Sequence, residues 1–532
     1  MNCLALEQAD GIIVIDCGIT FPHEEIGVDI YHPEFTYLEA RRERVAGVFL
    51  THGHEDHVGA LPYLLTKLKV PVWGPPHALA VAKHRLIERG LDPKNFQFIT
   101  STPRVRYAVG PFEVEPIRVT HSITDATALA VQTQAGVVVH TGDFRLDPAP
   151  ADSELTDEAR FAELGAAEVR LLLSDSTNVD ATSSHTSETA VGLTLERLVR
   201  QAKGRVVVGM FASNVQRLRL LGELAGRIGR KIVLMGKSLE LQVAWSHEIG
   251  RLAWPSDLVL PRDQAADVAR EELLLLAGGT QAEHGSGLTR LAAREHPALE
   301  LDAGDTVILS SRIIPGNDRP VYEMMAGFLR QGVAVKSWIT DPEVHTSGHA
   351  HRHEQARMIE LTRPRAFIPL HGTRHHLERH AELARERGVS EALVLENGEV
   401  ARIDQEGIHR AGRVAAGRVA TWNGLTITDG VLKNRRALAR SGALSLSLVV
   451  DRKGRLAGQP VVRARGVLEG EAEGDDAPAL RFIALEIARA LDAPDAPRDD
   501  GTLAEMARLV ARRAVEARTG RKPLCWVSVI RI

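Results

Sequence analysis

Cysteine is scarce in this chain: three in 532 residues, at Cys3, Cys17 and Cys525. A scattered, odd-numbered set excludes a disulfide framework and reads as reduced core residues of a cytoplasmic protein. No apolar run is long enough to span a bilayer, so a membrane helix is not expected. The amino terminus, MNCLALEQAD, has no charged start followed by an apolar block, so no secretion signal is expected either. Charge is not one-sided, with a formal net value of -4. That neither supports nor excludes a nucleic-acid partner, because only the groove that holds one must be basic. Internal repeats are absent. What is there is an ordinary globular composition, 44% hydrophobic and 25% charged. The length exceeds what one core usually serves, so roughly two to four domains are expected.

Along the chain, GIIVIDCG and RVAGVFL read as buried strands, and VGALPYLLTKL has helical apolar spacing. Strands recur at GPFEVEPIRV, ALAVQTQAGVVVHTG and EVRLLLSDS, separated by turn-rich segments. From about Glu188 to about residue 340 the rhythm becomes strict helix–strand alternation, which predicts a parallel sheet with crossover helices. A histidine-rich loop, a helix, the strand RAFIPLHG, another helix and two short strands around VLENGEVARI follow. Near Thr428 the character changes again. LSLSLVVDRKGRLAG reads as a hairpin, followed by two helices and the closing strand PLCWVSVIRI, a small α/β domain. The acidic EGEAEGDD (469–476) reads as an exposed loop, and the basic runs LKNRRALAR (432–440) and ARTGRKP (517–523) as solvated faces or contacts for RNA or a second subunit.

The chemistry is concentrated in LTHGHEDHVG (50–59), directly after a strand. In an extended segment alternate side chains share a face, so His52 and His54 can reach one ion. Asp56 and His57 then enter a turn and can address a neighbouring position. Imidazoles beside a carboxylate suit zinc or manganese. Further ligands belong at other strand ends, where His121, Asp143 and His371 each follow an apolar run. Singly, each has a plain alternative: a turn-capping Asp or a hydrogen-bonded core His. Together the set numbers seven, which suits two ions sharing a bridging carboxylate. Asp16, ending GIIVID, is either a partner that fixes a ligand imidazole or a turn-initiating acid.

THGHEDHVGALPYLL, THSITDA, HTGDF, LLSDSTN, FASNVQR, HTSGHA and PLHG occur in this order. Together they resemble the β-CASP branch of the metallo-β-lactamase superfamily, and most closely the bacterial ribonuclease J family. The resemblance implies an α/β fold: a metallo-β-lactamase αββα sandwich in two parts (1–187 and 341–427), an inserted β-CASP domain (188–340) and a small carboxy-terminal α/β domain (428–532). It implies two divalent ions, zinc first and manganese as the alternative. His52, His54 and His121 would hold one, Asp56, His57 and His371 the other, and Asp143 would bridge them. His349 in TSGHA, an imidazole titrating near neutrality, is the candidate general acid, and the family pattern pairs it with Asp175. Ser213, Asn214 and Val215, with His345, Thr346, Ser347, Gly348 and His349, would contact the substrate. Ser213 also reads as a helix N-cap. Arg217 reads as a solvated helix residue or an added charge on RNA. His351, His353, His375, His376 and His380 read as surface residues. The family usually has a glycine-rich strand upstream of this start, so Met1 is expected to be a late start or the edge of a truncation. Thr124 and His284 stand where proline is usual.

The activity implied is hydrolysis of RNA phosphodiesters, 5′-to-3′ with internal cuts, in RNA processing and decay, on RNA bearing a 5′-monophosphate. A homodimer or homotetramer is expected, with no membrane partner. Two other readings compete. A small-molecule metallo-hydrolase of the same superfamily would need no α/β insertion and no SGHA histidine. A non-catalytic RNA-binding scaffold would need neither His349 nor an intact ligand set.

Overall fold

The computed structural model describes residues 1–22, 26–184, 186–314, 316–404, 406–468 and 478–532. The acidic stretch 469–476 lies outside the described residues.

Two β-sheets face each other across one core. The five-stranded sheet runs in the order Leu4–Gln8, Gly11–Ile15, Val45–Phe49, Val72–Gly74, Phe98–Thr100. Leu4–Gln8 is its antiparallel edge and the others are parallel. The seven-stranded sheet runs Glu391–Ala392, Ala366–Leu370, Val169–Asp175, Gly136–His140, Thr127–Thr133, Phe112–Arg118, Tyr107–Val109. Ile13, Ile15, Phe49 and Trp73 from the first sheet meet Val114, Val131, Leu171 and Ile368 from the second. The central strands are buried on both faces, which is why GIIVI and VRLLLSD read as unbroken apolar runs. Helices Glu158–Ala166, Arg352–Thr362 and Arg374–Glu386 cover the outer face of the second sheet through Phe161, Ile359 and Leu383. ALAVQTQAGVVVHTG is a hairpin, turning between Thr133 and Gly136.

The sandwich is interrupted after Val169–Asp175. Helix Glu188–Gln201 opens a six-stranded, all-parallel sheet ordered Val259–Leu260, Lys231–Met235, Leu273–Ala277, Val206–Gly209, Thr306–Leu309, Ala334–Ser337. Apolar clusters cover both faces, one through Leu195, Leu221 and Leu276, the other through Leu275, Leu288 and Phe328. Strand Ala366–Leu370 then returns to pair in parallel with Val169–Asp175. The αββα sandwich with its α/β insertion is therefore as expected.

The chain divides into two compact units, Met1–Thr20 with His32–Arg418, and Phe21–Tyr31 with Val419–Ile532. The second unit contains a three-stranded sheet, Val461–Arg465, Ala443–Val450, Leu524–Arg531. Leu444, Leu446 and Leu448 pack on helices Pro478–Leu491 and Asp500–Thr519 through Ile483, Ile487 and Ala511. The expected hairpin within LSLSLVVDRKGRLAG is present, with Val450 bridged antiparallel to Leu456 and Ala457 N donating to Val449 O at 2.9 Å; its return strand is Val461–Arg465, and Ala443–Val450 also pairs in parallel with Leu524–Arg531 along its whole length. The basic run 432–440 lies in helix Asp429–Ser441, where Arg435 stands over the Trp422 ring. Arg518 in the second run stacks on Phe482, and most residues of both runs are exposed, as a solvated face requires. No helix among the described residues is long and apolar enough to cross a membrane.

Candidate metal centre and active site

The strand Val45–Phe49 delivers the first ligands. His52 is fully buried, and His54 is the N-cap residue of the short helix Glu55–Val58. His52 Nε2 lies 3.1 Å from His54 Nδ1, and His121 Nε2 lies 3.2 Å from the same atom. Three imidazole nitrogens so close, with no proton to share among all of them, are explained by a common ion. Nitrogens about 2.0–2.1 Å from a tetrahedral zinc stand roughly 3.3 Å apart. The donor set fits.

A second group sits beside it. Asp56 Oδ2 is 3.0 Å from His371 Nε2, and Asp143 Oδ2 is 3.3 Å from His57 Nε2 and 3.7 Å from His371 Nε2. The same Asp143 oxygen is 3.9 Å from both His52 Nε2 and His121 Nε2. Asp143 therefore faces both groups. One ligand atom from each of Asp56, His57, Asp143 and His371 falls within 4.8 Å of the others, as in the group of His52, His54 and His121.

The candidate ligand imidazoles are oriented by partners on their far nitrogens. Asp16, in a left-handed conformation at φ 61°, accepts from Thr51 N and Oγ1, both at 2.8 Å, and from His57 Nδ1 at 2.8 Å. That leaves His57 Nε2 for an ion. His121 Nδ1 donates to Gly348 O at 2.6 Å. His54 Nε2 is 3.2 Å from Ser213 Oγ, a side chain from the inserted domain. His371, itself at φ 52°, donates from Nδ1 to Thr177 Oγ1 at 2.7 Å, and that hydroxyl donates to Asp175 Oδ1 at 2.6 Å.

The electrostatics divide the centre. Burial, reinforced by neighbouring histidines, holds His52 and His121 well below the usual imidazole range, and burial brings His54 down to about 4. These rings stand neutral with lone pairs ready. Burial also opposes charge on His57 and His371, but carboxylates prevail there. Asp143, Asp56 and Asp16 raise His57 to about 10, and Asp143, Asp175 and Asp56 hold His371 well above its ordinary value. Against their own burial, Asp56 and Asp143 stay well below the carboxylate range. The carboxylate half of the centre demands positive charge, which a divalent cation supplies in place of protons.

His349 borders both groups, its ring 5.0 Å from that of His121 and 5.4 Å from that of His371. Its Nδ1 donates to Asp175 Oδ2 at 2.8 Å, which leaves Nε2 to serve a substrate. Burial opposes its charge, yet the charge and hydrogen bond of Asp175 raise its pKa. Asn178 ties the loop down, donating to Ser347 Oγ at 2.8 Å and to His349 O at 3.0 Å. Gly348 is required by contact: a Cβ there would lie 2.4 Å from Ser122 Oγ and 2.9 Å from His121 Cε1.

Several expectations need correction. The N-cap of helix Val215–Ile228 is Asn214, whose side chain accepts from Arg217 N at 3.0 Å, and not Ser213. Asn214 and Val215 are both buried. Thr346 is also buried and accepts from Arg145 Nη1 at 3.1 Å. Arg217 is 1% exposed and neither solvated nor aimed at RNA, because Glu188 takes its guanidinium inside the fold. His380 is fully buried, bonded to Ser176 Oγ and packed edge-on against Phe367, and His351 is buried against Ser183 O. His375 and His353 are exposed and His376 half-buried. Sequence reading missed Thr177 and Asn178, although both stand in the LLSDSTN motif. It also missed Asn2, whose Nδ2 is 3.2 Å from Asp56 Oδ2 and 3.0 Å from His57 Nε2. Nothing in MNCL points to that contact.

Ligands that gather at the strand ends of an αββα sandwich, with the last of them supplied only after an inserted parallel sheet, are the mark of metallo-hydrolases built on the metallo-β-lactamase fold. Family models agree segment by segment: the metallo-beta-lactamase superfamily over residues 2–201, the ribonuclease J beta-CASP domain over 203–327, the Zn-dependent metallo-hydrolase RNA specificity domain over 343–395, and the ribonuclease J C-terminal domain over 430–532. Ribonuclease J of Mycolicibacterium smegmatis is 35% identical over 100% of this chain and 95% of its own. That of Sinorhizobium meliloti is 33% identical over 98% and 92%, and that of Synechocystis 35% over 88% and 73%. A solved structure of a protein of unknown function from Enterococcus faecalis shares the fold at TM-score 0.52 and 18% identity, covering 74% of this chain and 94% of that one. The chain belongs to the ribonuclease J family.

Proposed function

We propose that the seven-ligand cluster and the His349–Asp175 pair form the catalytic centre of a metal-dependent ribonuclease, acting 5′-to-3′ on 5′-monophosphorylated RNA and also cutting internally. His52, His54 and His121 hold one divalent ion, Asp56, His57 and His371 the other, and Asp143 serves both, with zinc preferred over manganese. Bound there, two cations supply Lewis acidity to the scissile phosphate and activate water for in-line attack. The chain's own residues do the rest. His349 Nε2 delivers a proton to the departing 3′ oxygen, and Asp175 keeps that imidazole charged and aimed. Ser213 fixes the His54 ring from the inserted domain, so that domain shapes the centre as well as the cleft. Ser347, Gly348 and His345 border the substrate phosphates. A cytoplasmic role in RNA and rRNA processing follows, with a homodimer or homotetramer as the working form and the four segments 1–187, 188–340, 341–427 and 428–532 as its domains.

The observation that carries this reading is the 2.8 Å bond between His349 Nδ1 and Asp175 Oδ2 beside the ligand cluster. A scaffold that only bound RNA has no use for a charged imidazole held there. The test is incubation of purified protein with 5′-monophosphorylated RNA and Zn²⁺ or Mn²⁺, then with a chelator. Mononucleotides should form and stop forming when the chelator is added. Asp56→Ala and His349→Ala should each lose at least about a hundredfold in rate, with RNA binding intact in the second. RNA bound but never shortened by the wild type would establish the scaffold reading instead.

A further inference from the structure

Helix Lys237–Glu248 of the inserted domain lies against helix Pro76–Glu88 of the sandwich. The His84 and Trp245 rings meet at 4.9 Å between centroids, and His77 Nε2 is 2.9 Å from Gln242 Oε1. A carbonyl oxygen only accepts, so His77 Nε2 carries the proton and Nδ1 is a bare lone pair. The ring is fully buried, and Nδ1 has no hydrogen-bond partner among the described residues. What faces Nδ1 is the backbone of Gly53: a Cβ there would lie 2.7 Å from it and 3.2 Å from Ala78 Cα. Gly53 is the residue between His52 and His54. The loop that carries two ligands therefore rests on a ring whose hydrogen bond goes to a side chain of the inserted domain. A second brace follows just beyond the same helix. Arg251 pairs with Asp125, whose side chain is 7% exposed and whose backbone is left-handed at φ 60°, in the loop after His121. Val119 N donates to Ala126 O at 3.1 Å and closes that loop, and Thr127 N donates at 3.0 Å to Thr51 O, beside His52. With Ser213 Oγ on His54 Nε2, the inserted domain reaches the three-histidine group at three points. The partners found for the other group, Asn2, Asp16 and Thr177, all come from the sandwich.

We infer that Gln242 and Arg251 are positioning residues for the ion held by His52, His54 and His121. Through His77 and Asp125 they brace both loops that supply its ligands, so the affinity of that ion depends on the docking of the inserted domain. The inference rests on the ligand assignment of the proposed function. Its physical basis is the cost of a buried polar ring without partners. Without Gln242 Oε1, both nitrogens of His77 are unpaired inside the core. The ring must then turn or shift to find a partner, and Gly53 loses the surface it rests on. Without Arg251, the nearly buried Asp125 carboxylate loses its cation and draws its loop toward water, and His121 moves with that loop. Imidazole–zinc bonds have a narrow range of lengths, so small displacements of the ligands cost affinity. The coupling is reciprocal: a filled three-histidine site holds the inserted domain against the sandwich.

Zinc affinity tests this without RNA. Each zinc of the whole chain is titrated by competition with a chromophoric chelator, and His121→Ala identifies the ion of the three-histidine group by its loss. In Gln242→Leu the Kd of that ion should rise about tenfold, the low end for an outer partner of a metal ligand, while the other ion keeps its affinity. Gln242→Glu keeps an acceptor for His77 and should bind both ions as the wild type does. Arg251→Met should weaken the same ion as Gln242→Leu, and the Arg251 side chain is 43% exposed, so its removal leaves the core intact. Gln242→Leu placed in the His121→Ala background should leave the remaining ion unchanged. Equal weakening of both ions, or weakening that Gln242→Glu shares, would mean a general loss of structure and overturn the inference. Unchanged zinc affinity in folded Arg251→Met and Gln242→Leu would overturn it as well. A wild type that binds both zincs in this way but cleaves no RNA would refute the ribonuclease reading and leave the bracing intact. Zinc binding indifferent to His121→Ala would instead remove the ligand assignment on which both rest, so the failures are distinct.

Discussion

Asp175 serves two imidazoles at once. Oδ2 holds His349 directly, and Oδ1 holds His371 through the Thr177 hydroxyl. Changing Asp175→Asn removes the charge that raises His349 and leaves its shape. A general acid works while protonated, so activity on the alkaline side fails at its pKa. A lower pKa brings that failure to lower pH. In Asp175→Asn the alkaline limb of kcat should move down by about 1–3 pH units, the usual effect of one adjacent opposite charge. A rate–pH profile measured at saturating metal checks this, and a limb that stays in place would mean that His349 is not the acid. At this scale the cluster of candidate ligands was legible because its members lie just beyond apolar strands: His52 after RVAGVFL, Asp143 after GVVVHTG, His371 after AFIPL. Their partners were less so. Thr177 has no spacing relation to His371, which stands 194 residues away and meets it only because Val169–Asp175 and Ala366–Leu370 are neighbouring parallel strands. Arg217 misled for a related reason. Helical periodicity marks which face is buried, and it is the partner, Glu188, 29 residues earlier, that makes burying a charge tolerable.

Among the elements, the loop 345–349 is held more tightly than a histidine-rich stretch suggests. Its glycine closes on His121, whose Nδ1 donates to Gly348 O. In Gly348→Ala the new methyl would meet Ser122 and the His121 ring, so loop and ligand must separate. The expected outcome is a loss of kcat/KM of about 10–100-fold, the usual cost of disturbing an orienting partner of a metal ligand, with zinc retention reduced in parallel. Zinc content after gel filtration and steady-state rates would show it. A variant with normal zinc content and rate would mean that the loop is free to move off His121. Strand and helix types along the chain could be read from periodicity, because parallel strands covered on both faces are unbroken apolar runs. Register could not. The parallel partner of Ala443–Val450, Leu524–Arg531, lies beyond two helices, and the alternation of LSLSLVV identifies a half-buried strand without saying that the closing strand pairs with it.

Across the whole molecule, the ligand cluster joins segments that the insertion keeps far apart: residues 52–57, 121 and 143 before it, and His371 after it. All belong to the first compact unit, whereas the second has its own core around Leu446, Ile483 and Ala511. Cations that bind the folded first unit stabilise it by mass action, by about 4 kcal/mol at a thousandfold excess over Kd. Calorimetry should therefore show two transitions, and a chelator should lower only one. The effect of pH has a definite sign. Without cations, His57 keeps its proton up to about 10, above its unfolded value near 6.5. The stability from that charge is complete below about pH 6.5 and is lost as pH rises through about 10. Cations bind by displacing the protons on His57 and His371, so their affinity rises over the same window. These are one linkage seen from two sides, and it widens the gap between metal-loaded and metal-free protein, so the chelator-induced drop in Tm should be larger at about pH 8.5 than at about pH 6.5. A gap that narrows with rising pH, or a chelator that moves both transitions equally, would mean that the half of the cluster made by Asp56, His57, Asp143 and His371 is not where the cations bind.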